Sequence, residues 1–325
     1  MQERILKILK RAGKDGVLQE EFTGIYGISK STVSTVLSRL EKEGIIFRKK
    51  VAGKSYRVWY VNHSPYTPHG IIRVGILKAI EYPSIFLTAN DLKSPRIIIK
   101  IYKNAFELTK DLAEGYLEVG CSPLITQSMF ALVYRSIKIR AGCGFGGGGV
   151  VKRVENPRIF GSTELSTMEY MLRKYIGARD DAQIRYFNSP ESMLRAFEKG
   201  EIEALAIWEP YLTVLSERYQ TARFDSIFGK YPCCTLAINN RVENSKLIEI
   251  FLNSYISAVE NIPTRRNEAI SLESRALRIK KRDVERSFDG YHYHWKLEFE
   301  EAKRVLEDFG IKLTEESSRR IFNLL

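Results

Sequence analysis

Between residues 156 and 219, short apolar runs alternate with amphipathic stretches of helical period, and nothing else in the chain limits its fold as much. Such alternation of strands and helices is the pattern of an α/β unit. The first run, Arg158-Ile159-Phe160-Gly161-Ser162-Thr163-Glu164, reads as an apolar strand entering a turn. Leu165, Met168, Leu172, Tyr175 and Ile176 then recur every three or four residues, the spacing of a helix with one buried face. Ser162 or Thr163 is placed to cap that helix, and Gly161 permits a tight turn. Such a corner gathers free backbone N–H groups and the positive end of a helix at one point, which suits a carboxylate, sulfonate or phosphate. The plainer alternative is an ordinary capped helix. Downstream, Ala204-Leu205-Ala206-Ile207 is another short strand. Trp208-Glu209-Pro210-Tyr211 turns it into a helix, with Pro210 near the first position, where its missing N–H is harmless.

The segment from Ala204 to Tyr211 resembles the (A/D)xAIWxPY stretch of type II periplasmic-binding-protein domains, above all the branch that binds aliphatic sulfonates, taurine, nitrate and thiamine precursors. The Gly-Ser-Thr turn sits where that family has a ligand-facing loop. Cys233-Cys234-Thr235-Leu236-Ala237-Ile238-Asn239 resembles the strand that returns to the first lobe. The resemblance covers roughly residues 71–311. It implies a two-lobed receptor, with lobe 1 about 71–152 and 232–325, lobe 2 about 153–231, and a ligand between them. The ligand contacts it implies are Tyr82, Ser122, Gly161, Ser162, Thr163, Trp208 and Glu209. Tyr82 follows the first strand of the lobe, and Ser122 stands at a strand-to-helix switch, where ligands bind in open α/β sheets. Glu164 and Glu209 beside the anion corner argue against a bare small anion. They leave room for an amine- or ring-bearing effector: a thiamine precursor or an amino-acid-like compound, beside the sulfonates of the family.

The 325 residues carry a net charge of +12, and the excess is uneven. Residues 1–62 hold thirteen Lys and Arg against six Asp and Glu, a net +7, which points to a polyanionic partner. The pattern there predicts a helix over 2–12, a second over 18–26, and a third capped by Ser29 and ended by Gly44. Val33, Val36, Leu37 and Leu40 form the buried face of the third helix; two strands, 45–51 and 55–61, follow. This stretch resembles a winged helix-turn-helix of MarR-like or archaeal regulator type. The resemblance implies that Lys30, Ser31, Thr32, Thr35 and Arg39 face the major groove of double-stranded DNA, and that Lys49, Lys50, Lys54 and Arg57 on the wing meet phosphates. Residues 63–70 contain two prolines and read as a stiff, extended linker.

No apolar run approaches membrane-spanning length. The charged start lacks the apolar core of a signal peptide, so the expected compartment is the cytoplasm. Cys121, Cys143, Cys233 and Cys234 show no C-x-x-C spacing, and packing roles are expected. The glycine-rich run 142–149 matches no phosphate-binding loop, and reads as a hinge or as a mobile surface loop. His292 and His294 lie two apart with no third ligand nearby, so rim or structural roles are expected and no metal or cofactor. The fold class read from all this is α/β, a winged helix-turn-helix domain followed by a two-lobed type II periplasmic-binding-protein-like domain. The expected function is a ligand-responsive DNA-binding transcriptional regulator, a homodimer on a near-palindromic site, with no catalytic residues and no enzyme activity. Two rivals stand beside it. One is an enzyme of thiamine-pyrimidine-synthase-like type, whose cysteine-rich motif Cys233-Cys234 does not match. The other is a regulator whose receptor domain only dimerises.

Overall fold

A computed structural model describes residues 1–53 and 55–325; Lys54, expected on the wing, lies outside the described residues. Three helices, Gln2–Ala12, Glu21–Gly24 and Lys30–Lys42, and a three-stranded antiparallel sheet form an N-terminal unit. The sheet runs Val17–Leu18, Ser55–Tyr60, Ile46–Ala52. Ile5, Leu9, Phe22, Val33, Leu37, Leu40 and Val58 make its separate core. Ser29 caps the third helix by accepting the Thr32 N–H (3.2 Å). The second helix is shorter than the pattern suggests, because Val17 and Leu18 pair with Val58 and Arg57 as a strand. The following residues are no free tether either. Ser64 is buried, and Tyr66 stacks on Phe47 with ring centroids 5.8 Å apart and meets the Trp59 ring edge-on.

Beyond the linker lie two larger sheets. The six-stranded one is ordered Tyr291–His292, Ile137–Gly146, Pro232–Asn239, Val119–Pro123, Ile71–Leu77, Arg96–Tyr102. Ile71–Leu77 is parallel to both its neighbours and buried throughout, as a near-continuous apolar run requires. The five-stranded sheet is ordered Gln183–Tyr186, Ile159–Ser162, Ala204–Trp208, Gly148–Lys152, Gln220–Arg223. Ile159–Ser162 runs parallel to Gln183–Tyr186 and Ala204–Trp208, with helices connecting the strands as the alternation over 156–219 leads one to expect of an α/β unit.

The glycine-rich run is the first passage between these sheets, and no surface loop. Ile137–Gly146 belongs to the six-stranded sheet, Gly148–Lys152 to the five-stranded one, and all of residues 142–149 are buried. At the switch, Gly147 has φ +75°, and a Cβ there would lie 2.0 Å from the Tyr291 ring, so only glycine fits. The chain returns through Tyr231 into Pro232–Asn239. The helix after the Gly-Ser-Thr turn is Thr167–Ile176, capped by Ser166, so neither Ser162 nor Thr163 caps it. Leu165, expected on its buried face, precedes it in a left-handed conformation (φ +48°).

Candidate ligand cleft

The carboxyl ends of the parallel strands of both sheets face one another across a cavity of about 400 Å³. Lys78 to Tyr82 follow Ile71–Leu77, and Lys103 to Glu107 follow Arg96–Tyr102. From the opposite side come Thr163 to Met168 after Ile159–Ser162, Phe187 to Glu191 after Gln183–Tyr186, and Trp208 ending its own strand. This is the crevice that open α/β sheets generate, because the loops there are free of ladder bonding and gather from several strands. Four contacts tie the two walls together. Trp208 Nε1 donates to the Lys78 carbonyl (3.4 Å), and Lys78 Nζ stands 3.4 Å from Glu191. Deeper in, Thr126 Oγ1 donates to the Leu165 carbonyl (2.7 Å) and Thr167 Oγ1 to the Cys233 carbonyl (2.8 Å).

The lining is aromatic and acidic. Phe106, Tyr186, Phe187 and Trp208 line the space with Glu107, Glu164 and Glu191 against Lys78 and Lys103, and the buried Tyr82 and Glu81 border it from beneath. At the floor, the buried Glu81 accepts the Cys234 N–H (2.9 Å), and Tyr82 donates its hydroxyl to Cys234 Sγ (3.3 Å). Burial pushes the Glu81 carboxyl up to about 7, although hydrogen bonds from Cys234 and Cys233 pull the other way. The Cys233 thiol is drawn down by Cys234 beside it, yet burial and the Glu81 charge prevail and raise it to about 11.

Of the expected contacts, the cavity brings together Tyr82, Thr163 and Trp208. The other four are not among its lining residues. Gly161 sits against Ile202 and Met193, where a Cβ would fall 2.5 Å from Ile202 Cδ1. Ser162 is buried with its hydroxyl turned to the Thr163 carbonyl (3.4 Å). Ser122 bonds Thr109 Oγ1 (2.9 Å). Glu209 is fully buried and balanced by Arg223 (2.7 Å), the Thr213 amide and the Thr213 hydroxyl (both 2.9 Å), so it is no free acid. The anion corner is also taken: Glu169 accepts the Leu165 N–H (2.6 Å), and Ser166 the Glu169 N–H (3.2 Å). Sequence reasoning missed Glu81, Phe106, Phe187 and the cysteine pair. His292 and His294 line a separate groove beside Trp295, and His294 Nδ1 lies 3.2 Å from the Lys296 carbonyl.

Solved structures share this architecture at very low sequence identity. A ligand-binding component of an ABC-type import system from Staphylococcus aureus, with zinc bound, superposes with a TM-score of 0.68 at 12% identity, over 79% of this chain and 97% of that one. The alkanesulfonate-binding protein of Xanthomonas axonopodis pv. citri gives 0.64 at 12%, over 80% and 100%. The periplasmic nitrate-binding protein of Synechocystis gives 0.64 at 12%, over 78% and 86%. The chain has a type II periplasmic-binding-protein-like fold. No family model and no curated protein matches its sequence. These three neighbours are named as binding proteins, and at 12% identity the likeness shows the fold alone.

Three expectations are corrected by these neighbours. The first is the DNA-binding transcriptional regulator: none of the three is a DNA-binding regulator, and no comparison supports a winged helix. The side chains give a physical reason. Arg39 is engaged by Gln2 and Glu43, Arg48 by Glu41, and Arg57 by the Asp15 carbonyl (2.8 Å), while Lys49 Nζ sits 3.6 Å from the Tyr66 ring centroid. Lys30, Ser31, Thr35 and Lys50 are exposed and Thr32 half-buried, so what remains is a thin charged surface. The second is the partner, double-stranded DNA. The third is the cytoplasmic location: the nitrate-binding neighbour is periplasmic, and a charged first helix does not fix a compartment. No helix among the described residues is long and apolar enough to cross a membrane.

Proposed function

We propose that the chain is a receptor for one small amine- or ring-bearing solute, held in the cavity between its two sheets. The observation that carries this is the lining: Phe106, Tyr186, Phe187 and Trp208 over the buried Tyr82, with Glu107, Glu164 and Glu191 against two lysines, in a space of about 400 Å³. Aromatic faces attract cations through their quadrupole, and carboxylates pair with an amine. A sulfonate or nitrate would meet those acids at a penalty. Tyr82, Thr163 and Trp208 are the proposed contacts, joined by Phe187, Glu164 and Glu191. The six- and five-stranded halves act as lobes, and a solute touching both favours closure by the difference in its affinity for the two states. Residues 1–62 are read as a unit of winged-helix arrangement docked on the first lobe; its helix and hairpin order supports this. Its seat includes Lys14 Nζ, 2.6 Å from Asp111, and Arg96 Nη1, which donates to the Glu43 carbonyl (2.9 Å).

Thermal denaturation with a panel of aminopyrimidine thiamine precursors, amino acids, alkanesulfonates and nitrate tests the reading. A fitting amine should stabilise the chain by about 2.7 kcal/mol at a concentration a hundred times its Kd. Stabilisation by the anions alone, or by none of the panel, refutes it.

A further inference from the structure

Glu81, Cys233 and Cys234 have ligand atoms that all lie within 4.8 Å of one another. We propose that these three side chains form a binding site for Zn²⁺ at the floor of the cavity, with the fourth coordination position open toward the cleft. Two independent features bring the donors together. Consecutive residues of a regular strand point to opposite faces, so adjacent cysteines cannot share a target. The pairing of Pro232–Asn239 with Ile137–Gly146 slips between Pro232 and Cys234 and again between Cys234 and Thr235. Such bulges re-aim side chains, and here they turn both thiols toward Glu81. The second feature is room for the acid: a Cβ at Gly144 would lie 2.6 Å from Glu81 Cγ, so the glycine makes the space that the carboxyl fills.

The donor set has no cation of its own. Glu81, Cys233 and Cys234 are 2%, 4% and 2% exposed, and among the described residues Glu81 forms no ion pair with Lys, Arg or His. A buried carboxyl without a counter-charge is costly unless it stays neutral or meets a cation. Two thiolates and one carboxylate suit zinc, which takes sulfur and oxygen donors in a tetrahedron. Zinc bonds of about 2.0–2.3 Å hold such donors about 3.5–3.8 Å apart, so the three would close by about 1 Å, within the range of side-chain rotation. Binding sends the two thiol protons, and any proton on Glu81, to solvent. The Tyr82 hydroxyl, 3.3 Å from Cys234 Sγ, would then donate to a thiolate and orient it. Three protein donors with an open position differ from a closed structural site: a solute donor atom or water completes the sphere. Only this last point rests on the cavity receiving a solute.

The test uses the full chain, reduced and stripped with chelator, titrated with ZnCl₂ alone and then with CoCl₂. One equivalent of zinc should bind, and cobalt should give thiolate charge-transfer absorption with strong tetrahedral visible bands. Cys234→Ser should weaken zinc by at least about 100-fold and Tyr82→Phe by about 10-fold, while Cys121→Ser keeps full affinity. A pale octahedral cobalt spectrum, zero equivalents of zinc, or undiminished binding in Cys233→Ser/Cys234→Ser overturns the site. The wild-type cobalt spectrum decides the matter even if a serine variant does not fold. Solute stabilisation of the stripped chain without zinc uptake would overturn the zinc site and leave the receptor standing. Zinc uptake with no response to any solute would do the reverse.

Discussion

Arg73 offers the sharpest test of how the N-terminal unit is held. It is 1% exposed and Glu118 2% exposed, in the interior beneath the linker. All five guanidinium N–H groups are used. Nε and Nη2 grip the two Glu118 oxygens (3.0 and 2.7 Å), Nη1 donates to the Val61 and Ser64 carbonyls (3.1 and 2.5 Å), and Nη2 also donates to the Gly115 carbonyl (3.1 Å). Arg73→Met keeps much of the stem but leaves Glu118 charged and buried with no counter-charge, held here only by the backbone N–H of residue 73 (2.8 Å). Removing one partner of a buried pair costs about 3–5 kcal/mol. Against a whole-domain stability of about 5–15 kcal/mol, that is a large share. Arg73→Met/Glu118→Leu removes both charges and should recover most of the loss, since an apolar replacement of a complete pair is close to neutral. The residual deficit belongs to the three orphaned carbonyls and to the backbone N–H of residue 73, which donates to Glu118 (2.8 Å). Urea denaturation gives the energies, and hydrogen exchange should show residues 61–66 losing protection in the single variant. A loss below about 1 kcal/mol for Arg73→Met, or a double variant worse than the single, would refute the argument.

Other consequences are as direct. Glu273 is fully buried, with at most a poorly aligned contact from the Tyr82 backbone N–H, and burial outweighs that contact to raise its carboxyl well above the usual range. The unfolded chain therefore loses that proton first, and stability falls by up to about 1.4 kcal/mol per pH unit as pH climbs above the unfolded value toward the folded one. Glu273→Gln should remove that slope, matching the wild type near pH 4 and exceeding it at pH 8 in thermal melts; unchanged pH dependence contradicts this. Gly147→Ala places a Cβ 2.0 Å from the Tyr291 ring at positive φ and should destabilise by about 2–4 kcal/mol, whereas Gly229→Ala, with open space around it, should show only the backbone penalty of about 1–2 kcal/mol. Equal losses at the two positions would sink the close-packing explanation of the crossing. Glu164→Gln and Glu191→Gln should each weaken a cationic solute by about two- to fivefold in calorimetry, the range of partly exposed charge pairs; tighter binding would reverse the charge assignment.

Much of the architecture was legible in the order of residues. The strands and connecting helices of the five-stranded sheet, the Ser29 cap and the buried face of Lys30–Lys42 follow from periodicity and local hydrogen bonding. The cleft was legible only in part, at Tyr82, Thr163 and Trp208. Ser162, Thr163 and Ser166 are all competent caps, and the choice of Ser166 depends on Leu165 taking a left-handed backbone that its side chain does not advertise. Glu209 looked like a free acid because its partner Arg223 is far along the chain. The basic N-terminal residues misled for the same reason: Arg57 is spent on Asp15, and Lys49 on Tyr66. The cysteine pair was hidden by a bulge, which breaks the period-two reading that separates adjacent side chains.

The receptor claim is met most directly by a crystal structure of the chain with the most stabilising amine of the panel. Its density should lie between Tyr82, Phe187 and Trp208, with the amine in hydrogen-bond reach of Glu164 or Glu191. Density in the groove beside Trp295, or on the N-terminal unit with the cavity empty, would contradict it.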